Sequence, residues 1–220
     1  MTGEWPPAVK VCGLTRARDA EIAADAGARY LGVILAPGYR RTVTPEAASV
    51  IFDSLPAQRA GVFVNATADE LRRAAGVARL DVLQLHGDEP PELAAALRGE
   101  GYTVWKAVRP RDGDEFAAAA VRYGGAVDAL LLDGYSAEAR GGTGTSFPWR
   151  EVAQRLGVLP PGVALIAAGG LRPENVAEAA TILRPAIVDV SSGVESSPGV
   201  KDADAIRAFI AAVEGLRSRD

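Results

Sequence analysis

The chain has one thiol, Cys12, and one imidazole, His86. With neither repeated, a His/Cys metal cluster cannot form within one copy, so no metal site is expected. What remains open to these groups is proton transfer or nucleophilic attack. Lys10 lies two residues before Cys12, on the same face if the segment is a strand. A cation so placed favours the thiolate, the form that acts as base or nucleophile. The plainer alternative makes Cys12 a small buried hydrophobe and pairs Lys10 with Asp189 as a structural ion pair. Asp133 closes the run Leu130-Leu131-Leu132. A carboxyl at the tip of an apolar strand is partly desolvated, which predicts a raised pKa and suits proton donation; a turn cap before Gly134 is the alternative. Two titratable groups of different character point to acid–base chemistry rather than metal-assisted hydrolysis.

Three glycine-containing loops form the second group of candidates: Gly141-Gly142-Thr143-Gly144, Gly169-Gly170 and Ser191-Ser192-Gly193. Glycine lets backbone N–H groups converge closely on phosphate oxygens. Gly142, Gly144, Gly169, Gly170, Ser191, Ser192 and Gly193 are therefore the expected phosphate contacts, although single glycines after strands also serve as plain turns. Arg40 and Arg41 offer a guanidinium fork suited to a substrate carboxylate. His86, like Lys10 and Asp189, is a supporting candidate, equally suited to anchoring its own loop. Asn65 and Arg109 end strand-like runs but carry no spacing argument.

The elements that must position these residues are short. Strand-like runs at Val9–Cys12, Tyr30–Leu35, Ala60–Val64, Val82–Leu85, Thr103–Val108, Ala129–Asp133, Val163–Ala168 and Ala186–Val190 alternate with Ala-rich helical stretches. Most are near-continuously apolar, as strands covered on both faces are. Thr44-Pro45 and Thr67 with Glu70 mark helix starts, and Ala203, Ile206, Phe209, Ile210 and Val213 recur at helical spacing. Eight such units in 220 residues predict one domain, 1–220, closed as a (β/α)8 barrel; an open doubly wound sheet would show a glycine fingerprint where Cys12-Gly13-Leu14-Thr15 stands. In a barrel the candidates fall at the C-terminal ends of the strands, where active sites of this fold lie, and the first and sixth strands nearly face each other.

Composition narrows the class further. A formal net charge of −4 carries no broad nucleic-acid footprint. No apolar run is long enough to span a bilayer, and Met1–Pro7 has no signal-peptide pattern, so neither nucleic acid nor membrane is an expected partner. The lone cysteine fits a reducing cytoplasm. The expected partner is a small phosphorylated substrate, bound by a monomer or homodimer.

Lys10-Val11-Cys12-Gly13-Leu14-Thr15 with Asp19-Ala20 closely resembles the opening of the phosphoribosylanthranilate isomerase family of tryptophan biosynthesis. Gly61-Val62-Phe63-Val64-Asn65, Leu83-Gln84-Leu85-His86-Gly87-Asp88-Glu89, Gly141–Gly144, Ala168–Leu171 with Pro173–Val176, and Val188–Glu195 resemble its later motifs, in order and at compatible spacing. The resemblance implies a (β/α)8 barrel of ribulose-phosphate-binding type. The implied reaction is an Amadori rearrangement without metal or organic cofactor. It further implies Asp133 as general acid, Cys12 as general base, Arg41 as the holder of the anthranilate carboxylate, and the three glycine loops as the phosphate site. The chain departs from the family pattern at Thr145 and Val200, where the family often has lysine; only Lys10, Lys106 and Lys201 are present. Two rivals differ in chemistry. The related isomerase of histidine biosynthesis carries an aspartate at the position of Cys12 and two phosphate loops, and a non-catalytic sugar-phosphate-binding barrel needs neither Cys12 nor Asp133.

Overall fold

Alternate residues of each short strand serve two different cores, and this sets the architecture. In the computed structural model, which describes residues 5–134 and 149–219, eight parallel strands close into a barrel in sequential order. They are β1 (Ala8–Val11), β2 (Tyr30–Ile34), β3 (Gln58–Phe63), β4 (Val82–Leu85), β5 (Thr103–Val108), β6 (Ala129–Asp133), β7 (Ala164–Ala168) and β8 (Ile187–Val190). Ring closure is made by β1 on β8, where Lys10 pairs in register with Asp189. Helices α1 (Ala17–Asp25), α2 (Pro45–Ile51), α3 (Ala68–Ala78), α4 (Pro91–Gly99), α5 (Gly113–Tyr123), α6 (Trp149–Ala153), α7 (Val176–Leu183) and α8 (Ala203–Glu214) join or follow the strands. Closure leaves the eight-stranded sheet without an edge.

The barrel interior holds Ala60, Val82, Trp105, Ala107, Ala129, Leu131, Ile166, Ala168 and Ile187. The intervening residues, among them Val9, Val11, Leu83, Leu85, Leu130, Leu132 and Val188, pack outward against the helices. Every second residue therefore points inward. Continuing that alternation past the last interior residue of a strand reaches Asp133 after Leu131 and Arg109 after Ala107. The same step carries β4 from Val82 through Gln84 to His86. The candidate residues cluster because the pleat delivers them to one mouth.

Local signals act as expected at several helix starts. Thr44 accepts a hydrogen bond from the Ala47 amide with Pro45 at the first helical position, and Thr67 and Glu70 make a reciprocal capping box. Ile206, Phe209, Ile210 and Val213 bury one face of α8. Strand boundaries differ from the sequence expectation by one or two residues in β1, β2, β3, β7 and β8, and two of these differences bear on the fold. β3 starts at Gln58, where an exposed polar residue pairs with Tyr30 although it adds nothing to the core. β1 ends at Val11, so Cys12 is the first residue beyond it, still tied to β8 by its amide on the Val190 carbonyl at 2.8 Å. Beyond β8 a 3-10 turn (Ser192–Val194) leads into a small hairpin of β9 (Glu195–Ser197) and β10 (Val200–Lys201). No helix among the described residues is long and apolar enough to cross a membrane.

Candidate active site

A cavity of about 910 Å³ opens at the C-terminal ends of the strands. Cys12, Arg40, Arg41, His86, Asp133, Gly169, Gly170, Asp189, Ser191, Ser192 and Gly193 line it, together with Gln84 and Glu195. Its size suits a small organic ligand. Of the described site residues expected from the sequence, Lys10 is wholly buried beneath the cavity, and the weaker candidates Asn65 and Arg109 do not line it. Gly142 and Gly144 lie outside the described residues. Gly169 and Gly170 have φ of +78° and +69°, the left-handed backbone that turns successive amides toward one point.

Below the mouth, the Lys10 ammonium donates to Asp189 Oδ2 at 2.8 Å and to Gln84 Oε1 at 3.0 Å. The structural ion pair, one of the two readings open for Lys10, is present. Asp189 Oδ1 has no hydrogen-bond partner among the described residues and is buried beside the cavity. Burial pushes the Cys12 thiol up; Lys10 pulls it down, Asp189 pushes it up again, and it ends above its ordinary value. Lys10 does favour the thiolate, as expected, but burial outweighs it. Asp189 offsets part of the lysine's influence, and a buried sulfur has little water to solvate its charge.

Asp133 is corrected in the opposite direction. Burial does push its carboxyl up, but His86 and then Arg109 outweigh it, leaving the pKa below the ordinary value. His86 Nε2 lies 3.1 Å from Asp133 Oδ2, and Arg109 Nε donates to the same oxygen at 3.0 Å. Arg109 had no spacing argument; its only signal was its place at the end of β5, next to β6. His86 is both neighbour to Asp133 and part of a braced loop. The Glu89 carboxylate accepts from the amides of Asn65 and Gly87, and Asn65 Oδ1 accepts from the Asp88 amide. Asn65 is thus a loop anchor with φ of 53°.

Arg41 meets a partner that local sequence did not reveal, 154 residues away. Its Nε and Nη2 donate to the two carboxylate oxygens of Glu195, which also accepts from Lys201 Nζ at 2.9 Å. These two cations, against the upward push of burial, hold the Glu195 carboxyl below its ordinary value. Gly13 makes room for this arm, since a Cβ there would sit 2.7 Å from Arg41 Cδ, at a φ of +71°. Gln84 also escaped the sequence reading; its only signal was a lone polar residue at an inward position of the run Val82-Leu83-Gln84-Leu85.

A thiol and a carboxyl share one cavity with paired glycines and a guanidinium, and sequence and fold comparisons agree on one family for the chain. A family model described as N-(5'phosphoribosyl)anthranilate (PRA) isomerase matches residues 9–212. The chain belongs to the phosphoribosylanthranilate isomerase family. It is 44% identical over 211 residues to the N-(5'-phosphoribosyl)anthranilate isomerase of Myxococcus xanthus, covering 94% of this chain and 96% of that protein. A crystal structure of the isomerase from Thermus thermophilus is similar with a TM-score of 0.82 and 42% identity, covering 96% of this chain and 100% of that one. Another phosphoribosylanthranilate isomerase structure, in complex with reduced 1-(o-carboxyphenylamino)-1-deoxyribulose 5-phosphate, is similar with a TM-score of 0.83 and 35% identity over 96% and 100% of the two chains. As a member of this family the protein is an isomerase, and the barrel expected from its strand–helix alternation is the fold its relatives share.

Proposed function

We propose that this isomerase converts N-(5'-phosphoribosyl)anthranilate to 1-(o-carboxyphenylamino)-1-deoxyribulose 5-phosphate, with Asp133 as general acid and Cys12 as general base. The observation that carries this assignment is that both groups line one cavity, reached from β6 and from the end of β1. Asp133 protonates the ribose ring oxygen, the C1–O bond breaks, and the nitrogen lone pair forms the C1=N bond of an open imine. The Cys12 thiolate then removes the C2 proton, and those electrons give an enolamine that tautomerises to the ketoamine. No net oxidation occurs, because C1 is reduced as C2 is oxidised. The positive-φ glycines and the Ser191–Gly193 segment offer the phosphate backbone donors. Arg41 takes the anthranilate carboxylate, and the open oxygen of Asp189 accepts from a sugar hydroxyl.

The test is direct. Purified protein added to N-(5'-phosphoribosyl)anthranilate should abolish the substrate's anthranilate fluorescence with turnover. Binding of the sugar phosphate without fluorescence loss would leave only a non-catalytic barrel.

A further inference from the structure

Gln84 sits at the floor of the cavity, buried, with both ends of its amide engaged. An amide can be turned end for end without changing shape, so its direction must be read from its partners. Here one partner decides it. Lys10 carries only donors, stands 3.0 Å from Oε1, and is held in place by Asp189 at 2.8 Å. The oxygen must face Lys10, and the Nε2 donors must face His86 Nδ1, 3.0 Å away. Nδ1 is then an acceptor, which leaves the neutral ring's proton on Nε2, 3.1 Å from Asp133 Oδ2. The donor direction runs one way from β1 through β4 to β6.

We propose that Gln84 is a positioning residue for Asp133: oriented by Lys10, its amide selects the His86 tautomer that presents an N–H to Oδ2. The proposal rests on the reading of Asp133 as the acid. Its consequence is specific to one oxygen. His86 and Arg109 both donate to Oδ2, and among the described residues no donor takes Oδ1. The transferable proton therefore resides on Oδ1. The opposite tautomer would set a ring lone pair against Oδ2 and release the carboxyl to rotate. An amide does not pass a proton along, so the link orients the acid without joining it to the base.

His86 is the only histidine, so tag-free protein labelled with 15N-histidine gives a single imidazole spectrum. With the ring neutral, the native protein should show a pyridine-type Nδ1 and a pyrrole-type Nε2. Gln84→Glu keeps an acceptor for Lys10 but offers His86 a second one, and should move the ring proton to Nδ1. Gln84→Met, similar in length and without an amide, should give a mixture of tautomers. Each variant should lower kcat about tenfold, a fraction of what a general acid contributes, with KM changed less than about twofold. A pyrrole-type Nδ1 in the native protein overturns the proposal, as does an unchanged tautomer in the Gln84→Glu protein or an unchanged kcat in both variants. The native spectrum decides even if neither variant folds. If the native protein shows the expected tautomer but no turnover of the anthranilate substrate, the functional reading fails while the orientation of His86 stands.

Discussion

Arg41 and Glu195 form a two-point pair, Nε to Oε1 at 2.7 Å and Nη2 to Oε2 at 2.6 Å. That fork is the geometry by which arginine grips a carboxylate, so the protein's own glutamate occupies the face best suited to the substrate. On the proposed assignment of Arg41, the anthranilate carboxylate would use the remaining Nη1 edge of a guanidinium that Glu195 holds still. Arg41→Ala should raise KM about 10- to 100-fold and leave kcat within a few-fold, since the contact is made in ground and transition states alike. Glu195→Gln should raise KM by a smaller factor, because it loosens the arm without removing it. Steady-state kinetics reads both effects. An unchanged KM in the Arg41 variant would assign the carboxylate to Arg40.

Removing the acid or the base separates chemistry from binding. Cys12→Ala and Asp133→Asn should each lower kcat by at least about 10³-fold, within the range that positioned acid–base groups supply. Affinity for a phosphorylated product analogue, measured by calorimetry, should fall less than about tenfold, because neither side chain lies in the glycine loops. Near-normal turnover in either variant removes that residue from its role.

Much of the fold was legible because strand alternation, glycine turns and helix caps are local. Asp133 could be placed at the mouth from Leu130-Leu131-Leu132 alone. Its protonation could not, because that is decided by His86 from the β4 end and Arg109 from the β5 end, brought alongside only by the closed ring. Cys12 shows a milder limit: the Lys10–Asp189 pair was one of two readings open in the sequence, and only the β1–β8 closure, which brings Asp189 to Lys10, decides for it. The Arg41–Glu195 fork had no local signal at all. Gln84 was visible as an oddity, but its direction depends on a lysine 74 residues distant.

The opposite shifts of Cys12 and Asp133 predict an unusual pH profile. At neutral pH the sulfur holds the proton and Asp133 is ionised. Burial pushes the Cys12 thiol above its ordinary value, whereas His86 and Arg109 outweigh burial and hold Asp133 below its own. In the proposed mechanism the reactive form has thiolate and carboxylic acid, the same total number of protons with one moved. The pH dependence of kcat/KM follows that total. Its plateau should extend below the ordinary carboxylate range and above the ordinary thiol range wherever the fold persists, with the acid limb set by Asp133 and the alkaline limb by Cys12. His86→Ala removes a donor from Asp133 and should move the acid limb upward. The depressed carboxyl also contributes stability above pH 3.8 that is lost as pH falls through its lower folded value. An alkaline limb well below pH 9.0 would mean that Cys12 is ionised more readily than its burial dictates.

The Lys10–Asp189 pair predicts where the barrel is vulnerable. Lys10 is wholly buried and Asp189 nearly so, and their 2.8 Å contact crosses the seam that closes the ring. Lys10→Met leaves a buried carboxylate without its cation and should destabilise the protein by roughly 3–5 kcal/mol. Replacing both partners, as in Lys10→Met/Asp189→Leu, removes the uncompensated charge and should recover most of that loss. Recovery should stop short of the native value, because Gln84 Oε1 also loses its donor, and an unsatisfied buried acceptor costs about 1–3 kcal/mol. Adding Gln84→Met to the pair should therefore restore further stability, although Gln84→Met in the native background lowers it. Urea denaturation midpoints at fixed slope distinguish these cases. If the double variant is no more stable than Lys10→Met alone, the loss comes from packing around the lysine stem and not from the stranded charge of Asp189.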